Sequence, residues 1–270
     1  MKFREIFRFE LVYQARRVRT WIYFAVLFVV AYLVIREGRI HDARNGDALV
    51  NSPYVIALTT VISSLLWVVM APAVAGSAAA RDVHTRMHPL IYTTPISKAD
   101  YLGGRFLAAF VVNALILLAV PAGILLALLL PAVELDILGP SRPAAYLSAY
   151  VGLALRTAFA ATAIQFSLAA LNRRAVVSYL GSVLLLVTVS IGAGTVIQVL
   201  QMPTLGKLLD PIGYMTVVGY LSNAWTLTEK NTVLIGLQGS TLANGLLWVG
   251  IALGILAFTH LRFRFEHRAA

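Results

Sequence analysis

The sequence predicts an all-α membrane protein of six transmembrane helices, with an N-terminal amphipathic interfacial helix and short outward re-entrant helices before the last span. Three observations predict it. Of 270 residues, 59% are hydrophobic and only 13% charged, where soluble domains run at about 45–50% and about 25%; mean hydropathy is +0.80. The apolar residues are gathered into runs close to the ~20 residues that a helix needs to cross ~30 Å of hydrocarbon. The basic residues concentrate on alternate connections between those runs.

Residues 1–19 read as the amphipathic helix. Phe3, Ile6, Phe7, Glu10, Leu11 and Gln14 fall at helical spacing, while Arg4, Arg8, Arg16 and Arg17 supply a charged side. An apolar face beside a basic one describes an elbow helix lying in the headgroup region, rather than a plain basic flank. The spans follow at about 20–35, 53–80, 106–130, 145–171, 176–200 and 242–260. The first is short and lacks a small-residue cleavage site, so it reads as a retained anchor and not as a signal peptide. Helix is the only conformation open to these runs. Lipid offers no partner for backbone N–H and C=O groups, and the runs are too continuous for barrel strands. The long connection 201–241 is semi-apolar but broken by Pro203, Pro211, Gly213 and Gly219. It suits short helices that dip into the outer leaflet. Its polar run Thr226-Leu-Thr-Glu-Lys-Asn-Thr232 argues against two further spans.

Orientation follows from the basic residues. With a cytoplasmic N-terminus, six spans return the C-terminus to the same side. That side then carries Lys2, Arg4, Arg8, Arg16, Arg17, Arg19, Arg81, Arg86, Lys98, Arg105, Arg173, Arg174, Arg262, Arg264 and Arg268, fifteen in all. The other side carries six: Arg36, Arg39, Arg44, Arg142, Lys207 and Lys230. The asymmetry is a positive-inside signal. The net charge of +10 therefore reports topology, and no nucleic-acid partner is expected.

The sequence holds few candidates for chemistry. It has no cysteine, no Gly-x-x-x-x-Gly-Lys-Ser/Thr loop, no His-Glu-x-x-His and no Gly-x-Ser-x-Gly. Thiolate, P-loop, zinc-protease and serine-hydrolase sites of those kinds are therefore excluded. His84 and His88 stand four residues apart, half of a metal site with no third ligand nearby. No metal and no catalytic residue is expected. Ionisable groups are nearly absent from the spans. The exception, Arg156, either lines a polar translocation path or lies near an interface and snorkels. Thr162 and Gln165, on the same segment, are the other candidate path-lining residues. With no Asp, Glu or His chain in the spans, the driving force is expected on another polypeptide.

The connection 81–105, between the second and third spans, is the most informative stretch. Arg81 to Met87 is predicted as a short polar helix closed by Pro89. Thr94-Pro95 then breaks the chain, and Ser97 with Asp100 fits a capping box that opens the next helix. Met87, Leu90, Ile91 and Tyr92 make an apolar patch suited to a soluble partner, unless the connector packs on its own helix ends.

Pro89, Leu90, Tyr92, Thr94, Pro95, Ser97, Tyr101, Gly104 and Arg105 resemble the loop after the second span in ABC-2-type ABC transporter permeases. Phe9-Glu10 with Arg16 is similar to that family's elbow helix. Asp210-Pro-Ile-Gly213, Trp225 to Thr232, Asn244 and Trp248 resemble a subgroup fused to a zinc aminopeptidase, whose peptidase residues are not in this sequence. The resemblance covers essentially the whole chain. It implies a permease subunit of an ATP-driven exporter in a bacterial cytoplasmic (inner) membrane, with both termini cytoplasmic. It implies two partners besides the lipid bilayer: a second permease half, identical or paired, and an ABC ATPase subunit carrying ATP and Mg, with no cofactor on this chain. The coupling helix would draw on Arg86, Met87, Pro89, Leu90, Tyr92, Thr94, Pro95 and Ser97. The alternative is a membrane anchor or assembly factor that recruits a cytoplasmic partner through the same loop and transports nothing.

Overall fold

The computed structural model describes residues 2–87, 95–130, 135–235 and 239–265. Among them helix is the only regular secondary structure. An N-terminal helix, α1 (Lys2–Ala15), comes first. Six helices are long and apolar enough to cross a membrane: α2 (Val18–Arg44), α3 (Pro53–His84), α4 (Lys98–Leu129), α5 (Pro143–Asn172), α6 (Ala175–Gln198) and α10 (Gly239–Arg262). Between α6 and α10 lie the short helices α7 (Pro203–Leu209), α8 (Met215–Leu221) and α9 (Leu227–Thr232). The chain is a multi-pass, all-α membrane protein.

Three helix boundaries differ from the apolar runs, each for a local reason. The first helix continues through its charged turn, residues 36–44, where Arg39 pairs with Asp42 at 3.0 Å. The third span begins at Lys98 because Ser97 caps it, its Oγ accepting the Asp100 N–H at 3.0 Å. Arg81 to Met87 is not a separate helix. Nothing in Ala78-Ala79-Ala80 breaks the second span, so residues 81–84 are its last turn, and Arg86 then takes a left-handed φ of +55°.

Helices α3 and α5 form the centre. Helix α5 packs on α3, α4, α6 and α10, while α2 packs along the second half of α4. That last contact is close. A Cβ on Gly123 of α4 would fall 2.4 Å from the Phe28 carbonyl oxygen of α2. The peripheral spans leave large apolar residues uncovered, among them Trp21, Val29, Leu180, Leu184, Leu246 and Leu253. Hydrocarbon is the medium that accepts such a surface.

Proline in a spanning helix leaves a carbonyl without its donor. Pro72 does this to Val68, and hydrocarbon makes an unsatisfied carbonyl cost several kcal/mol, about the price of a lost hydrogen bond in an apolar medium. Ser182 Oγ of α6 (2.7 Å) and Gln165 Nε2 of α5 (3.3 Å) both donate to the Val68 carbonyl, and Gln165 also donates to Ser182 at 3.1 Å. The break in α3 thus becomes the point that joins three spans.

One end of the bundle, the basic end, gathers α1, the end of α3, the start of α4, the α5–α6 turn and residues 263–265. The opposite end is closed by its own connections. Asn51 exchanges hydrogen bonds with the backbone of Gly139 at 2.7 and 2.8 Å, and Asn231 accepts the Leu49 N–H at 2.9 Å.

Candidate functional site

Helix α1 is anchored at the basic end by a buried polar network. Glu10, in the middle of its apolar face, is fully buried. Its carboxylate accepts Arg81 Nη1 at 3.0 Å, pairs with Arg81 Nη2 at 2.7 Å and accepts Gln14 Nε2 at 2.9 Å. Gln14 donates to Ser77 Oγ at 2.8 Å, and Arg19 Nη2 reaches both Gln14 Oε1 (3.0 Å) and Ser77 Oγ (2.7 Å). The Arg81 guanidinium also lies over the Tyr13 ring, 4.3 Å from its centre. The corner into α2 is closed by side chains that satisfy the last carbonyls of α1: Thr20 Oγ1 donates to Gln14 O at 2.7 Å and Trp21 Nε1 to Ala15 O at 2.9 Å.

A second half of the network crosses the foot of the 85–97 connection. Asp82, beside Arg81 but turned to α4, accepts Arg105 Nη2 and Tyr101 Oη, the latter at 3.1 Å. Arg105 Nη1 donates to the Ala78 carbonyl at 2.9 Å. Tyr101 in turn stacks on Phe263 and meets Phe265 edge-on, at 5.8 and 5.6 Å between ring centres. The last turn of α3 and the first turns of α4 are therefore joined to each other, to α1 and to the chain after α10. A groove of about 480 Å³ lies between α1 and this foot, bordered by Phe9, Met87 and Ile96. Breaking a buried ion pair by removing one partner costs about 3–5 kcal/mol, so the buried Asp82–Arg105 pair holds these two helix ends together as a stem.

Of the residues predicted to contact a partner, Arg86 and Met87 leave the stem exposed, Met87 at 52%. Pro95 is exposed, and its carbonyl accepts from Lys2 Nζ. Ser97 is the cap of α4. Pro89, Leu90, Tyr92 and Thr94 lie outside the described residues, as does His88, the second member of the histidine pair. Among the described residues no three His, Asp or Glu side chains converge as a metal site.

The candidate path residues face different neighbours. Thr162 is fully buried and accepts Asn113 Nδ2 of α4 at 3.0 Å. Gln165 is fully buried at the Pro72 break. Arg156, 7% exposed, turns the other way, towards α10 and the 203–224 segment. Its Nη1 donates to the Thr241 carbonyl at 2.8 Å, while Nε and Nη2 have no hydrogen-bond partner. Gly245 makes room for it, because a Cβ there would sit 2.8 Å from Arg156 Cδ.

Around Arg156 the segment 203–224 is held by residues that sequence reasoning used only for family likeness. Asp210, fully buried, accepts the N–H groups of Gly213 (2.9 Å) and Thr216 (2.8 Å) and so starts α8. Asn244 Nδ2 reaches the carbonyls of Lys207, Leu208 and Asp210 at 2.8–2.9 Å, and Trp248 Nε1 donates to Leu208 O at 3.1 Å. Two signals in the sequence could have found these clusters: Glu10 as an acid at an apolar-face position of α1, and Asp210 as an acid set among apolar residues. Each demands a buried partner.

No protein-family model matches the chain, and no curated protein sequence matches it.

Proposed function

We propose that the chain is the permease subunit of an ATP-driven exporter of the ABC-2 type, half of a translocation path, coupled to a separate ATPase subunit through the 81–105 connection. One observation carries the reading. The connection stands on a stem in which Glu10–Arg81 and Asp82–Arg105–Tyr101 join α1, α3 and α4. A force applied to the connection would reach two spans and the N-terminal helix together, as coupling to a soluble motor requires. An anchor that only recruits a partner needs no such stem. On this reading the basic end is cytoplasmic, the membrane is a bacterial inner membrane, and a second six-helix half completes the path. ATP and Mg would be bound by the ATPase alone. The burial of Thr162 and Gln165 inside this half supports a path bordered by other faces. Arg156 would hold the 203–224 segment against the last span.

Co-purification tests the reading. The tagged chain, purified from its native membrane, is expected to bring down an ABC ATPase subunit and to lose it when residues 90–95 are removed. Full retention by the shortened chain overturns the coupling role.

A further inference from the structure

Four arginines converge at the basic end, and the transport reading gives them no task. Arg173 and Arg174 form the α5–α6 turn; Arg262 ends α10, and Arg264 follows it. They border an open cleft of about 870 Å³ whose other wall is apolar, with Phe258 and Leu261 exposed at 55% and 76%. None of the four is within ion-pair distance of a described carboxylate. The cluster is also held in place. Arg173 takes φ +56°, a helix-ending conformation that glycine adopts far more readily. Its Nη2 donates to the Arg264 carbonyl at 3.0 Å, which ties the turn to the chain after α10. The cleft lies where α5 and α10 end, the level at which a spanning helix is expected to pass from hydrocarbon to headgroups.

We propose that this cleft binds an anionic phospholipid, with the phosphate among the guanidinium groups and an acyl chain along Phe258 and Leu261. Guanidinium forks match phosphate oxygens two at a time, and basic pockets between spanning helices hold acidic headgroups. Charge alone would suit a free phosphate equally; the exposed apolar wall selects a lipid. The inference goes beyond the transport reading and does not rest on it.

Native mass spectrometry of the full chain in neutral detergent tests it, with dioleoyl phosphatidylglycerol, dioleoyl phosphatidylcholine or inorganic phosphate as probes. The phosphatidylglycerol is expected to be retained over the phosphatidylcholine and not displaced by phosphate. The triple variant R174Q/R262Q/R264Q is expected to lose about a hundredfold in apparent affinity, since each basic residue near a lipid surface contributes about fivefold. R4Q/R8Q/R16Q removes the same charge from α1 at the same end and is expected to change retention far less, because those arginines do not border the cleft. Thermal melts in the same detergent check that both variants fold. If the first does not, R174Q and R264Q singly carry the test at about fivefold each. Equal losses in the two triple variants, equal retention of the two lipids, or displacement by phosphate overturns the proposal. So does loss of a bound protein partner from R174Q/R262Q/R264Q without any preference for the anionic lipid.

Discussion

Pro72, Gln165 and Ser182 act as one unit. The proline removes a donor, and the two side chains supply replacements from other spans. The energetics are therefore conditional. Q165L alone is expected to cost about 0.6–1 kcal/mol, in the range for a single hydrogen bond between membrane helices. Q165L/S182A is expected to cost more than the sum of the two single changes, because the Val68 carbonyl then has no donor. In a P72A background, where the backbone N–H returns, the same double change is expected to cost less. Unfolding in denaturant of the four combinations measures this, and additivity in both backgrounds would contradict it. The sequence displays Gln165 only as a polar residue in an apolar run, which is why it reads as a path-lining candidate. Its partners lie on other helices, and their convergence is a property of packing. Asp210 makes a second residue-scale case. Burial pushes its carboxyl above the usual carboxylate range, against the pull of two backbone N–H groups and Arg156. A raised folded-state pKa gives a contribution that is full below the unfolded value of about 3.9 and is lost as pH rises through the folded value. The melting temperature of the wild type relative to D210N is therefore expected to fall as pH rises. A gap that does not vary with pH contradicts this.

The elements were legible to different degrees. The spans follow from composition because lipid forces a helix on any long apolar run. The Ser97 cap follows from spacing because cap and acceptor are three residues apart. The N-terminal helix was legible as amphipathic, but its anchoring was not, since Glu10 meets Arg81 across 71 positions. The same distance hid the stem: the end of α3 looked like a separate polar helix because its charged residues have partners only in the fold. The stem makes α1 part of the bundle, so its attachment should be specifically sensitive to Glu10. E10A leaves the part-buried Arg81 with only the more distant Asp82 carboxylate, at 3.9 Å, and is expected to destabilise the α1 contact by about 1.5–3 kcal/mol. Trypsin should then cut at Arg16 and Arg17 much faster than in the wild type, with the remaining spans still protected. Unchanged cleavage in E10A would show that apolar packing alone holds α1.

At the scale of the molecule, the chain presents broad apolar faces on α2, α6 and α10 and a basic end where Arg86, Met87 and Pro95 are exposed beside the joined feet of α3 and α4. Among the described residues, Asn113, Thr162, Gln165 and Ser182 join helices inside the bundle, while the Ser63, Ser64 and Ser167 hydroxyls and two Arg156 nitrogens lack a hydrogen-bond partner. On the proposed reading, the molecule moves when something pushes on it. The proposed source is an ATPase bound at the 81–105 connection, working on two such halves. The most direct test is ATP turnover in liposomes by the ATPase reconstituted with the full chain or with the chain lacking residues 90–95. The account predicts that the full chain stimulates turnover and that the shortened chain, equally folded by its melting curve, leaves it at the level of the ATPase alone. Stimulation that survives removal of those residues would contradict it.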